Sequence, residues 1–149
     1  MLQKLPFLTS MTGIASDHGG FELKEYIREN ISDTQWKDYG CYSEDSIDYP
    51  DVAKTIANGI LNNEVNTAVA ICGTGIGISI ALNRHQKVRA ALCHDLHTTE
   101  MARMHNDANI LTLGGRIIDK DLALEMVRVF LKTPFEGGRH ERRVNKLDT

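Results

Sequence analysis

Long hydrophobic runs are missing from this 149-residue chain. No stretch approaches the ~18 consecutive apolar residues of a membrane-spanning helix, so a membrane-embedded protein is not expected. Excess positive charge is missing as well. The 17 Lys and Arg against 20 Asp and Glu leave a net charge of −3, which argues against a nucleic-acid partner that needs a basic face. Cysteine is sparse and unpaired in pattern: Cys41, Cys72 and Cys93 are odd in number, far apart, and form no C-x-x-C. That usage suits a reducing cytoplasm better than a disulfide framework. Internal repeats, low-complexity tracts and linkers are absent too. A length of 149 residues with 42% hydrophobic content is enough for one well-filled core and too short for two ordinary domains. Residues 1–10 carry one charge and an apolar stretch broken by Pro6, shorter than a signal-peptide core. They read as a leader or disordered tail, with residues 11–149 forming a single domain.

What is present centres on Ala70-Ile71-Cys72-Gly73-Thr74-Gly75-Ile76-Gly77-Ile78. The apolar run Thr67 to Ile71 predicts a buried strand, which ends in a thiol, passes three alternating glycines and leaves as an apolar helix. Glycine allows a tight turn, often with positive φ, and close approach of a ligand to the main chain. A helix N-terminus favours negative charge, so a cysteine there stands where a thiolate would be stabilised. Elsewhere, Thr12–Ser16, Trp36–Tyr39, Val88–Cys93 and Asn109–Leu113 read as further strands. Phe21–Asn30, Pro50 to about Leu61, Leu96–His105 and Asp119–Leu131 read as helices from their apolar spacing. Past Pro134 the tail turns basic, and its last part is compatible with a helix. About five β-rich runs alternating with helices predict a Rossmann-like three-layer α/β/α fold on a parallel sheet. Ligands in such folds sit beyond the carboxyl ends of the strands. Asp17-His18, Cys72 with its glycines, His94-Asp95 and Gly114–Arg116 should therefore share one rim.

Each constellation also has a plainer reading. Cys72 could be a core thiol on a tight turn, since free cysteine is among the most buried residue types. Dinucleotide binding fits poorly, because Ile78 stands where G-x-G-x-x-G needs its third glycine. With no Gly-Lys-Ser/Thr, a Walker-type phosphate loop is excluded. Asp17-His18 could simply cap the next helix. His94 and His97 lie three apart, yet no cluster of carboxylates or cysteines completes a metal site. His105 could serve only as a charge partner at a helix C-terminus. Arg139, Arg142, Arg143 and Lys146 could form a solvated face, although Gly137-Gly138 frees the tail to fold back and arginine suits bidentate phosphate contacts.

Taken together, five motifs carry a resemblance. Ser16-Asp17-His18-Gly19-Gly20, Asp48-Tyr49-Pro50, Cys72-Gly73-Thr74-Gly75-Ile76-Gly77, His105-Asn106, and Glu136-Gly137-Gly138-Arg139-His140 followed by Arg143 resemble the type B ribose-5-phosphate isomerase family. That family also includes galactose-6-phosphate isomerase subunits and enzymes acting on allose 6-phosphate. The similarity runs from about Met11 to the C-terminus in the family's order and spacing.

The resemblance implies an aldose–ketose isomerase of the non-oxidative pentose phosphate pathway, an intramolecular oxidoreductase without metal or organic cofactor. Ribose 5-phosphate and ribulose 5-phosphate would interconvert through a cis-enediolate. Cys72 matches the base that moves the proton between C2 and C1; relatives that use a glutamate instead place it where this chain has Gly75-Ile76-Gly77. Thr74 matches a residue that helps move the hydroxyl proton, and His105 with Asp17 matches the pair that opens the furanose ring. The backbone at Gly73, Gly75 and Gly77 would hold the oxyanion. His18, Arg116, Arg139 and Arg143 match phosphate contacts, and Tyr49 and Asn106 match substrate-positioning residues. The implied partner is a small phosphorylated sugar, and the implied assembly is a cytoplasmic homodimer with a shared active site, a tetramer remaining open. The rival reading is a non-catalytic nucleotide- or sugar-phosphate-binding module with Cys72 as a structural or redox-sensing thiol.

Overall fold

A computed structural model describes residues 11–149; the expectation for residues 1–10 lies outside them. Five parallel strands, β1 (Met11–Ser16), β2 (Gln35–Asp38), β3 (Thr67–Cys72), β4 (Ala90–Leu92) and β5 (Ile110–Gly114), pair in the order β2-β1-β3-β5-β4. A short 3-10 turn at His18–Gly20 and helices α1 (Phe21–Asn30), α2 (Tyr49–Leu61), α3 (Ile76–Leu82), α4 (Leu96–Asn106), α5 (Lys120–Lys132) and α6 (Arg139–Leu147) complete the elements of the described residues. This is the expected Rossmann-like three-layer α/β/α arrangement.

The period-two alternation of the central strand decides how the layers pack. In β3, Val69 and Ile71 join Leu23 and Ile27 of α1 and Met126, Val127 and Phe130 of α5 on one face. Ala68, Ala70 and Cys72 point the other way, against Val52 and Ile56 of α2 and Ile78 and Leu82 of α3. Large side chains fill the first interface. Alanines on the second leave the bulk to the helices. Each of the fully buried Ile and Leu side chains stabilises the fold by about 1.5–3 kcal/mol relative to exposure. Asp119 fixes the start of α5 by accepting the N–H groups of Asp121 and Leu122 at 3.0 and 3.1 Å.

Most element boundaries lie within one residue of the sequence expectation, and β4 is the exception. Strand β4 is only Ala90–Leu92 rather than Val88–Cys93, because Val88 closes a turn onto His85 and the Arg89 N–H goes to Asn109 Oδ1. The last part of the tail, which the sequence reads as compatible with a helix, forms α6, anchored by buried His140 and Val144. On the free flank of β4, the Asn83 amide donates to Ala90 O and its Oδ1 accepts the Ala90 N–H, both at 2.9 Å.

Chain order positions the site. After β2 the chain crosses back over β1 to reach β3, so strand order reverses between β1 and β3. A crevice at their carboxyl ends is the place where open α/β sheets bind ligands. Helix α4 leaves the carboxyl end of β4 and returns antiparallel to the strands. Its 11 residues therefore carry His105 and Asn106 roughly 16 Å towards the amino end of the sheet.

Candidate active site

Three loops meet at the carboxyl ends of β1, β3 and β5, and backbone hydrogen bonds lock them together. Asp17 N donates to Ile71 O at 3.1 Å, Gly115 N to Cys72 O at 2.8 Å, and Arg116 N to Gly73 O at 3.0 Å. Cys72 is buried at the last position of β3, and its Sγ accepts the Gly75 N–H at 3.1 Å. Gly75 makes the turn possible with φ +81°, and any Cβ on it would lie 2.9 Å from the Leu113 carbonyl carbon. Thr74 is exposed and its Oγ1 accepts the Ile76 N–H at 3.2 Å.

The neighbouring positions follow from close contacts. Tyr49, at the start of α2, lays its ring over Gly77, where a Cβ would approach it to 2.6 Å. The Arg116 side chain lies across Gly19 and Gly73, its Nη1 3.1 Å from where a Gly73 Cβ would be. Asp17 is buried, and its Oδ1 accepts the Gly19 and Gly20 N–H groups at 2.9 and 3.2 Å. It thus has the capping role its plainer reading expects. His18 Nδ1 accepts the Ile47 N–H at 3.2 Å. An accepting Nδ1 holds no proton, so the neutral ring keeps its proton on Nε2, which is left to donate. Asp17, His18, Tyr49, Cys72 to Gly77 and Arg116 are therefore gathered on one rim.

The remaining candidates are not gathered there. His105 and Asn106 end α4, and Arg139 and Arg143 are exposed on α6. Within one chain this second group sits towards the opposite end of the sheet, and Asp17 and His105 are not brought together. Two cavities lie elsewhere, and neither is lined by Cys72. One of about 380 Å³ lies between the 39–47 segment and α2. Another of about 410 Å³ is lined by Asn83, Arg89, Asn106 and Asp148 beside β4.

His140 is the residue that spacing alone does not reveal. It is buried, stacks on His105 with ring centroids 4.2 Å apart and planes 11° from parallel, and sets Nε2 3.1 Å from Glu136 Oε1. The 35 residues separating the two histidines hide their meeting; the one hint is the Gly137-Gly138 reversal, with φ +73° and +58°. His105, Glu136 and His140 offer ligand atoms within 4.8 Å of one another. Parallel rings, however, direct their in-plane lone pairs side by side rather than onto one ion. The arrangement is a packed imidazole pair. His94 and His97 are both exposed. Asp95 between them is held below the usual carboxylate range chiefly by the Thr98 backbone N–H and hydroxyl.

Comparison with known proteins gives consistent matches over nearly the whole chain. The profile of the Ribose/Galactose Isomerase family matches residues 12–147. Ribose-5-phosphate isomerase B of Escherichia coli is 38% identical over 133 residues, covering 88% of this chain and 89% of that protein. A crystal structure of a ribose 5-phosphate isomerase from Thermotoga maritima superposes with a TM-score of 0.91 at 50% identity, covering 93% of this chain and 97% of that one. The type B ribose 5-phosphate isomerase of Trypanosoma brucei gives 0.88 at 39% identity over 94% and 97%.

Proposed function

Because the chain belongs to the ribose/galactose isomerase family, we propose that residues 11–149 form a sugar-phosphate isomerase unit that interconverts ribose 5-phosphate and ribulose 5-phosphate. The observation that carries this reading is the Cys72 thiol, held at the carboxyl end of the central strand with Gly75 N–H on its sulfur. His18 and Arg116 stand on the same rim. A base next to groups that suit phosphate is what proton transfer on a phosphorylated sugar requires.

In this reading the Cys72 thiolate takes the C2 proton of the open-chain aldose. The C2–H electron pair forms the C1–C2 double bond of a cis-enediolate, and the carbonyl π electrons move onto O1. The same sulfur returns the proton to C1, while Thr74 assists transfer of the hydroxyl proton between the oxygens. Gly75's amide is given to sulfur and Ile76's to Thr74, so the oxyanion is assigned to the amides of Gly73, Thr74 and Gly77. A well-placed donor of this kind is worth about 3 kcal/mol in the transition state. Tyr49 and Asn106 position the sugar, and His105 acts with Asp17 in opening the ring.

The split of candidates between the two ends of the sheet supports a homodimer with shared sites. One chain contributes Cys72, Thr74, Asp17, His18, Tyr49 and Arg116. The second contributes His105, Asn106, Arg139 and Arg143. Each dimer then holds two such sites.

The test is deuterium incorporation at C2 of ribose 5-phosphate in heavy water, followed by NMR with chelator-treated protein. Exchange together with ribulose 5-phosphate formation is expected. Cys72→Ala should keep ligand binding and lose the exchange. Retained turnover would remove Cys72 as the base. Exchange seen only with allose or galactose 6-phosphate would change the substrate. Silence with all three sugars would favour a binding module.

A further inference from the structure

An arginine that belongs to neither half of the proposed site joins the pieces of the second half. Arg89 precedes β4, and its side chain is 17% exposed. Its Nε donates to Asp107 O at 2.9 Å, Nη2 to Asp107 Oδ2 at 3.3 Å, and Nη1 to Asp148 Oδ2 at 2.9 Å and Oδ1 at 3.1 Å. Asp107 directly follows His105-Asn106 and takes left-handed backbone angles, φ 47° and ψ 44°, at the end of α4. A residue with a side chain adopts that conformation at a cost that the surroundings must offset. Here Arg89 grips its carbonyl and carboxylate while Arg103 Nη1 takes Oδ1 at 2.9 Å. Asp148 follows α6, the helix that carries Arg139, His140 and Arg143, and its carbonyl also accepts the Gln86 amide at 2.8 Å. A single planar fork therefore spans the end of α4 and the end of α6. Lysine could not reproduce it, since an ammonium lacks the rigid geometry that reaches both carboxylates.

We propose that Arg89 is a positioning residue of the isomerase: it fixes His105-Asn106 relative to the arginines of α6, so that ring opening and phosphate holding occur in one geometry. This rests on the function proposed above. Arg89 itself touches no reacting atom. The two arms of the fork should be separable, with Asp107 serving the imidazole and Asp148 serving the phosphate arginines.

The experiment measures kcat and KM for ribose 5-phosphate, with melting temperature, for Asp148→Asn, Arg89→Lys and Arg89→Ala. Asp148→Asn frees α6 alone and should raise KM about tenfold, the size of one weakened charge-assisted contact, with kcat within about twofold. Arg89→Lys keeps the charge without the fork and should both raise KM and lower kcat about tenfold or more. Arg89→Ala should be at least as impaired. If it does not fold, the other two variants still decide. Assays well below each melting temperature separate positioning from stability, because a brace with no positioning role lowers melting without moving the KM-to-kcat split. Wild-type kinetics in Asp148→Asn and Arg89→Lys, with active wild-type protein, would overturn the proposal alone. A wild-type protein that isomerises no sugar phosphate would overturn it together with the function it rests on.

Discussion

Replacing Gly75 by alanine tests the turn that sets the sulfur. The added methyl would stand 2.6 Å from Leu92 Cδ1, 2.9 Å from the Leu113 carbonyl carbon and 3.0 Å from Gly114 N. Leu92 can swing its terminal carbon away. The other two atoms are backbone of the strand beside β3 and cannot. Left-handed angles at a non-glycine residue cost about 1–2 kcal/mol, and forcing a methyl into a packed site adds about 1–3 kcal/mol. The expected loss is about 2–5 kcal/mol, which for a chain of this length lowers the melting temperature by roughly 6–15 °C. Gly137→Ala provides the control, since φ is +73° there but nothing lies within 4 Å. It should lose only the backbone contribution, about 1–2 kcal/mol. Calorimetry or urea unfolding of both variants reads the difference. If Gly75→Ala is no more destabilised than Gly137→Ala, the β5 backbone does not confine this turn and the reasoning fails.

Three further outcomes follow from other parts of the molecule. Lys24 is fully buried on α1, with Nζ 2.7 Å from Asp38 Oδ2 and 3.0 Å from Glu25 Oε2; Lys24→Met should cost about 3 kcal/mol in urea unfolding, and a change under about 0.5 kcal/mol would mean the pair is not needed. Asp119→Ala removes the cap of α5 and should cost about 1 kcal/mol, with a wild-type unfolding midpoint as the contrary result. Burial pushes the Cys93 thiol up, and the Thr99 and Thr98 hydroxyls only partly offset it. The folded state then retains a proton that the unfolded chain releases, so this contribution is full below the free-thiol value of ~8.5 and is lost as pH rises past it. Cys93→Ala should flatten the fall in stability above the free-thiol value of ~8.5; an unchanged slope would exclude the thiol as its source.

The sheet and its helices were legible in the sequence because burial imposes a period on it. The apolar spacing through Leu122, Met126, Val127 and Phe130 marked α5, and the unbroken apolar run from Thr67 to Ile71 marked a buried strand. Strand ends bearing chemistry, such as Asp17-His18 and Cys72, were readable for the same reason. What remained hidden depends on three-dimensional return of the chain. His105 ends a helix that runs back along the sheet, so its separation from Cys72 follows from topology and helix length rather than from any motif. The stacking of His140 on His105 depends on two left-handed glycines and on α6 docking against α4. Arg89 read as part of a strand, and nothing in its neighbours shows that its fork reaches Asp107 and Asp148, 18 and 59 residues away.

The two hydrogen bonds between Asn83 and Ala90 have a consequence for how copies of this chain can meet. A carboxamide presents the same donor and acceptor pair as a peptide unit, so Asn83 acts as a one-residue counterfeit of a sixth strand. The outermost strand has its peptide hydrogen bonding at Ala90 already satisfied, and a passing chain finds no template there on which to lengthen the sheet. At that position strand pairing is closed, which narrows the ways a second copy can add along this flank. An edge with one peptide unit already matched is a poorer start for open-ended strand addition than a bare one.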